Sequence, residues 1–175
     1  MLKKIVIAVV VIVAGILIYA ATRPDSMHVE RSTTIRATPD KIFPLINDFH
    51  QWGTWSPWEK LDPQMKRTYS GSASGMGAVY AWEGNSDVGA GRMEVTDASA
   101  PSRITIKLDF LKPFEAHNQA GFLLEPEDSS TRVTWTMDGP SPYVSKLMGV
   151  FVNMDTMIGK DFETGLANLK AAAEK

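Results

Sequence analysis

The chain has 175 residues, 44% of them hydrophobic, a formal net charge of −2 and no cysteine. Because phosphate binding needs a basic surface, this charge argues against nucleic acid as a partner. The lack of cysteine excludes disulfides, thiol catalysis and thiolate metal sites.

Residues 5–21 form an uncharged apolar run, preceded by Lys3 and Lys4 and followed by Arg23. As a helix this run measures about 26 Å at ~1.5 Å per residue, close to the ~30 Å hydrocarbon core of a bilayer. It therefore predicts a transmembrane anchor. The two lysines favour the cytoplasmic side, so residues 1–4 become a cytoplasmic tip and the remainder lies outside the cytoplasm.

A cleaved secretory signal is the alternative for the same run. Such signals have an apolar region of roughly 7–15 residues that ends in small residues at the cleavage site. Here the run is longer, and Tyr19 or Ile18 would occupy the upstream specificity position at the two candidate sites. A retained anchor is favoured, and both alternatives send the downstream residues across the membrane.

After a short polar linker, residues 22–26, the remaining residues 27–175 have the length of one ordinary domain. Alternation of apolar and polar residues predicts a first strand over residues 27–37. Thr38-Pro39-Asp40 then opens a helix, with Thr38 as the cap and Pro39 at the first helical position, and a brief second helix or turn covers residues 49–52.

Turn signals separate a further series of apolar segments, which predict six more strands. Together with the first they make a seven-stranded antiparallel sheet. The predicted ranges are 66–70, 78–83, 89–98, 103–110, 117–125 and 131–138.

From about Ser141 to Ala173, apolar residues recur every three or four positions. This spacing predicts one long amphipathic helix, with a bend near Gly149 or Gly159. Its apolar stripe must be buried, and the sheet is the only surface large enough. The fold class is therefore α+β: a curved antiparallel sheet wrapped on a C-terminal helix, preceded by the transmembrane helix.

This order of elements resembles the helix-grip domain of the START/Bet v 1-like superfamily, often labelled polyketide cyclase/dehydrase-like. Local segments resemble a bacterial, membrane-anchored branch of it, and the resemblance covers residues 27–175. It implies the fold and a ligand pocket between sheet and helix, but no catalytic residue. The segments are Thr38-Pro-Asp-Lys-Ile-Phe43, Trp55-Ser-Pro-Trp58, Gly75-Met-Gly77, Gly89-Ala-Gly-Arg-Met-Glu94 and residues 161–169.

Large apolar side chains on the predicted strands and helix are the candidate lining of that pocket. Methionine, being flexible and polarizable, suits an adaptable ligand surface. A filled core explains the same residues, and the resemblance favours the pocket. The candidates are Trp82, Met93, Phe110, Phe122, Trp135, Met137, Met148, Phe151 and Met154.

The Trp52, Trp55 and Trp58 rings either pack beneath the short helices or face the bilayer interface, and packing is favoured. Polar motifs offer little chemistry. The three histidines lack metal-ligand spacing, strand parity turns Glu83 and Glu94 to solvent, and the loop 71–77 lacks the ending of a phosphate-binding loop.

The sequence thus predicts a membrane-tethered domain that binds a hydrophobic small molecule or lipid, without cofactor, metal or catalytic residue. Two alternatives from other classes stay open: a cyclase- or dehydrase-like enzyme, and an envelope interaction module without ligand. The groups best placed to turn toward a pocket from loops or strand ends are His50, His117, Glu83 and Glu115.

Overall fold

The computed structural model describes residues 2–175. Its first element, α1 (Leu2–Ala21), has the length and apolarity of a membrane span, features that an N-terminal signal sequence shares. Every side chain of α1 except Ala20 is at least partly exposed, so this helix is not part of the domain core.

The helices of the domain are α2 (Pro39–Asn47), α3 (Tyr143–Met148) and α4 (Met154–Ala173), with 3-10 helices at Phe49–Thr54 and Trp58–Lys60. Thr38 occupies the N-cap of α2 as predicted, but its side chain makes no capping hydrogen bond.

Seven strands form one antiparallel sheet in the order β1-β7-β6-β5-β4-β3-β2. The predicted sheet is confirmed, with strand ends displaced by a few residues. A register shift between Val95 and Asp97 in β4 is a bulge, which increases the local bend of the strand. The strands are β1 (Ser26–Ile35), β2 (Lys66–Gly71), β3 (Ala78–Glu83), β4 (Ala90–Ser99), β5 (Arg103–Lys112), β6 (Ala116–Glu127) and β7 (Ser130–Pro140).

Helix α4 packs on the concave face of the sheet. Gly165 permits the close approach, because a Cβ atom there would stand 2.7 Å from the Trp135 ring. The Phe162 ring stacks on Trp135 with 4.1 Å between centroids. The Arg31 guanidinium on β1 bonds Asp155 at 3.1 Å in the first turn of α4 and Glu163 at 2.9 Å near its middle, which holds the first half of the helix to β1.

The prediction of a C-terminal helix against the sheet is confirmed, but one continuous helix over residues 141–173 is wrong, and the interruption begins at Gly149, where a bend was expected. The chain leaves the helical path after α3, and α4 begins afresh where the Asn153 side chain accepts a hydrogen bond from the Thr156 N–H at 3.1 Å. This capping interaction satisfies a backbone donor that a new helix leaves free. The apolar spacing continues through residues 149–153, but those residues form a loop.

Candidate functional site: a cavity between sheet and helix

A cavity of about 800 Å³ lies between the concave face of the sheet and the helices α3 and α4. Six of the nine predicted lining residues surround it. They come from β3, β4, β5, β7 and α4, elements far apart in the sequence that the fold brings to one space. The six are Trp82, Met93, Phe110, Trp135, Met137 and Met154.

The Trp82 ring owes its position in the wall to the glycine opposite it. Trp82 pairs with Gly91 across β3 and β4, and a Cβ atom on Gly91 would come within 2.4 Å of the indole. The Trp82 indole N–H donates to the Val88 carbonyl oxygen at 3.0 Å, so its polar atom is satisfied while the ring lines the cavity.

Three predicted lining residues lie elsewhere. Phe122 is buried in the core, where its ring stacks on Trp135 with 4.9 Å between centroids. Met148 and Phe151 are not part of the cavity lining and are exposed, Phe151 to 72%. Their placement on an inward stripe was wrong because the helix is interrupted between them and α4.

A polar cluster, which local sequence patterns do not indicate, borders the apolar space. The Glu59 carboxylate accepts hydrogen bonds from the Tyr80 hydroxyl and, at 2.6 Å, from Arg67 Nε. Both Glu59 and Tyr80 line the cavity. Burial raises the pKa of the Tyr80 phenol, and the Glu59 carboxylate raises it further, so this hydroxyl stays protonated and donates.

Asp161 on α4 is a second cavity carboxyl that the sequence analysis did not select. Burial raises its pKa, while a hydrogen bond with the Trp58 side chain acts in the opposite direction. Trp58 also lines the cavity, so the pair places a partly desolvated acid beside an indole in the wall.

Two of the four polar groups singled out from the sequence reach the cavity mouth. His117 Nδ1 lies 2.7 Å from Asp109 Oδ1, and His117 Nε2 lies 3.3 Å from Glu115 Oε1. The Asp109 carboxylate raises the pKa of His117, which in turn lowers the pKa of Asp109. Both His117 and Glu115 line the mouth, but the histidine side chain is exposed.

The other two groups lie outside the cavity. His50 bonds Asp48 at 2.8 Å and stacks on the Tyr69 ring. Glu83 pairs with Lys112 at 2.8 Å on the exposed surface, as strand parity predicted. Among residues 2–175, no cluster of three His, Asp or Glu side chains could hold a metal ion.

The mouth of the cavity adjoins the end of α1. Arg23 and Pro24, which follow α1 directly, line the cavity together with residues of α3, of the loop 149–153 and of the β5–β6 connection. The segment that leads out of the apolar helix therefore forms one side of the entrance.

A family model described as polyketide cyclase/dehydrase and lipid transport matches residues 26–174, which is the whole domain after α1. The chain belongs to this family. The match confirms the sequence resemblance to the START/Bet v 1-like superfamily. No curated protein matches the chain by sequence.

Solved structures share the fold at low identity. A structural-genomics protein from Chromobacterium violaceum is 12% identical, with a TM-score of 0.60 over 87% of this chain and 99% of its own. The major latex-like protein 151 of Panax ginseng is 13% identical, with a TM-score of 0.61 over 87% and 100%. Aha1 from Colwellia psychrerythraea is 17% identical, with a TM-score of 0.58 over 85% and 96%. These likenesses concern the fold alone.

Proposed function

We propose that the chain is a membrane-tethered binding protein that holds an apolar small molecule or lipid in the cavity between the sheet and α4. The observation that carries this proposal is the cavity itself, about 800 Å³ with tryptophan, phenylalanine and methionine in its walls. Binding sites for small ligands typically measure ~300–1,000 Å³ and are mostly apolar with a few polar groups. Glu59, Tyr80 and Asp161 are among the polar groups here.

The tether in this proposal is α1, retained after synthesis. Lys3 and Lys4 keep the N-terminus in the cytoplasm, and the domain stands on the other side of the membrane. N-terminal sequencing of the protein from cells should find a mature chain that still contains the residues of α1, and external protease should reach the domain. A mature chain that begins near Thr22, or a domain shielded from protease, contradicts the tether.

A substitution that fills the cavity tests ligand binding. Ala120 on β6 is buried and lines the cavity, so the added ring in Ala120→Phe projects into the ligand space. Leu123→Phe, on the exposed face of the same strand, is the matched control. Native mass spectrometry of the full chain, released from its membrane, should find a lipid-sized adduct on the wild type and on Leu123→Phe, and none on Ala120→Phe.

Equal adducts on all three forms would mean that the lipid binds outside the cavity. A wild type without any adduct, which also fails to take up lipid from vesicles, would contradict the binding function. Circular dichroism of Ala120→Phe separates loss of binding from loss of fold.

A cyclase- or dehydrase-like enzyme is the second candidate, favoured by one observation: burial raises the pKa of the Asp161 carboxyl in the cavity wall. A protonated carboxyl can act as a general acid. If the chain converts its bound molecule, Asp161→Asn should slow the conversion by about 10²–10⁴-fold and leave binding intact. Mass spectrometry of the bound species before and after incubation measures this. An Asp161→Asn variant as active as the wild type rules out Asp161 as the acid.

A further inference from the structure

We propose that α3 and the loop after it lie in the surface of the bilayer that holds α1, so that the cavity mouth opens against lipid rather than against water. This inference rests on the proposed tether and cavity. It adds an interaction surface, its partner and the route by which a ligand enters: sideways, from the lipid phase. The ligand class is then an amphiphile that resides in the bilayer.

The surface in question is an exposed apolar rim at the cavity mouth, formed by Phe114, Val144, Met148, Phe151 and Val152. Val144 is 66% exposed and Phe114 73% exposed. Several large exposed apolar side chains on neighbouring segments of a folded domain are typical of a surface that meets another apolar phase. Because Phe114 and Val152 also line the cavity, the rim borders the entrance from the β5–β6 loop and from the α3–α4 loop.

The level of this rim relative to α1 is set by direct contacts. The Tyr143 hydroxyl, at the start of α3, donates to the Leu17 carbonyl oxygen at 3.0 Å. Leu17 stands four residues before the end of α1 at Ala21, which is about 6 Å along the helix axis. Helix α3 therefore begins beside the last turn of the membrane span, at the depth of the bilayer surface.

Two further contacts hold α3 to the segment that leaves α1. The Ser141 N–H donates to the Asp25 carbonyl oxygen at 2.7 Å. The Lys146 ammonium, itself buried, pairs with the Asp25 carboxylate. Asp25, near the end of the linker, is thus held both by α3 and by the residues that lead into it, which restricts the movement of the domain relative to α1.

The residues at the end of α1 have the chemistry of a lipid–water boundary. The Arg23 guanidinium lies over the Tyr19 ring, 6.0 Å from its centroid. Tyrosine is favoured at the headgroup level of membranes, and basic side chains reach the same level from the ends of spanning helices. Arg23 also lines the cavity, so the boundary and the entrance coincide.

The contact depends on apolar insertion rather than on charge. Residues next to α1 include no basic cluster, and the chain as a whole carries a net charge of −2. Attraction to anionic lipids requires several lysines or arginines near the surface. Insertion of the rim should accordingly be the same in vesicles of neutral lipid and in vesicles containing anionic lipid.

The cysteine-free sequence makes the test simple, since one introduced cysteine is the only site for a label. Phe151→Cys places a fluorophore on the rim, and Ser129→Cys places the same fluorophore in the exposed β6–β7 turn, at the opposite end of the strands from the β5–β6 loop. The full chain carrying either label is reconstituted in phosphatidylcholine vesicles. Quenchers are nitroxides on the lipid acyl chains and iodide in the water.

We expect acyl-chain nitroxide to quench the Phe151→Cys label several-fold more than the Ser129→Cys label, and iodide to show the reverse order. Equal iodide quenching of both labels overturns the inference, because the rim is then in water. A Phe151→Cys label that neither quencher reaches also overturns it, because a second copy or another protein then covers the rim.

Lipid uptake by the same preparations separates this inference from the proposed function. The double variant Val144→Ser, Phe151→Ser should take up a fluorescent lipid several-fold more slowly from vesicles and bind the same final amount. A chain that binds lipid in its cavity while its rim label stays in water supports the proposed function and contradicts the inference that the rim lies in the bilayer. A chain whose rim label is in lipid while its cavity binds nothing supports the rim inference and contradicts the proposed binding function.

Discussion

The two halves of the domain use the same kinds of side chain in opposite ways. In the closed half, which includes the inner wall of the cavity, the rings of Trp52, Trp55, Phe122, Trp135 and Phe162 pack against one another, and Trp55 is completely buried. In the mouth half, Phe114, Met148 and Phe151 are exposed around an open cavity. Ring-to-ring packing makes the closed half a source of stability, and the loosely packed mouth half leaves space for a ligand.

Hydrogen bonds reinforce the closed half. The indole N–H groups of Trp52 and Trp55 donate to the carbonyl oxygens of Ile46 and Leu45, each at 2.8 Å. These bonds tie the short helices to the core, because a buried indole without an acceptor would be costly. The expectation that the tryptophans pack rather than face the membrane is confirmed for these two, whereas Trp58 is half-buried in the cavity wall.

The largest expected difference in stability is between the alanine variants of two phenylalanines, Phe162 and Phe151. Phe162 is 2% exposed and stacked on Trp135, so Phe162→Ala leaves a core cavity and should cost about 3–5 kcal/mol of unfolding free energy. Phe151→Ala removes an exposed ring and should change that free energy by less than about 0.5 kcal/mol in detergent. Denaturant unfolding of both variants measures the contrast, and equal losses would remove the distinction between the halves.

A smaller contrast is expected between two glutamates. Glu59 accepts bonds from Tyr80 and Arg67 in a largely buried site, so Glu59→Ala strands these donors and should cost about 2 kcal/mol. Glu83 forms an exposed pair with Lys112, so Glu83→Ala should leave the unfolding free energy nearly unchanged. The same unfolding experiment applies. If Glu59→Ala lowers the unfolding free energy no more than Glu83→Ala does, the polar cluster does not contribute to the stability of the domain.

The smallest effect is a pH dependence at the mouth. His117 faces Asp109 and Glu115, and Lys107 also bonds Asp109. Because the folded state raises the pKa of His117, its contribution to stability is complete below the unfolded value near 6.5 and is lost as the pH rises through the folded value.

The contribution of Asp109, the partner of His117, to stability changes with pH in the opposite direction. The pKa of Asp109 is lowered, so its contribution is lost as the pH falls through the folded value. His117→Gln should therefore lower the melting temperature slightly at pH 5.5 and leave it unchanged at pH 8.5. A larger loss at pH 8.5 than at pH 5.5 would contradict this assignment.

The sequence predicted the sheet well because its signals are local. Alternation of residues along each strand and turn residues between strands identified all seven strands, and the apolar run at residues 5–21 identified α1. A bend was expected near Gly149, where α3 ends, but not a full break, because Phe151 and Val152 continue the apolar spacing. Spacing alone does not distinguish side chains that face a core from those that are exposed.

The apolar residues of the cavity wall could be predicted from the sequence, whereas its polar groups could not. The alternation of side chains along a strand is enough to place the large apolar residues Met93 and Trp135 on the inward face of the sheet. In the polar cluster, Arg67 and Tyr80 follow Glu59 by 8 and 21 residues and belong to different elements. No local sequence pattern indicates that these three side chains meet. Only the folded chain brings these groups together.

The central claim, a lipid inside the cavity, is tested most directly by proton contacts to methionine methyl groups. The full chain, carbon-13 labelled at methionine methyls, is placed in lipid nanodiscs. We expect nuclear Overhauser contacts from acyl chains to Met93 and Met137 in the cavity, and none to Met76, which is 68% exposed in the β2–β3 connection. Acyl-chain contacts to the exposed rim methionine Met148, with none to Met93 or Met137, would contradict it.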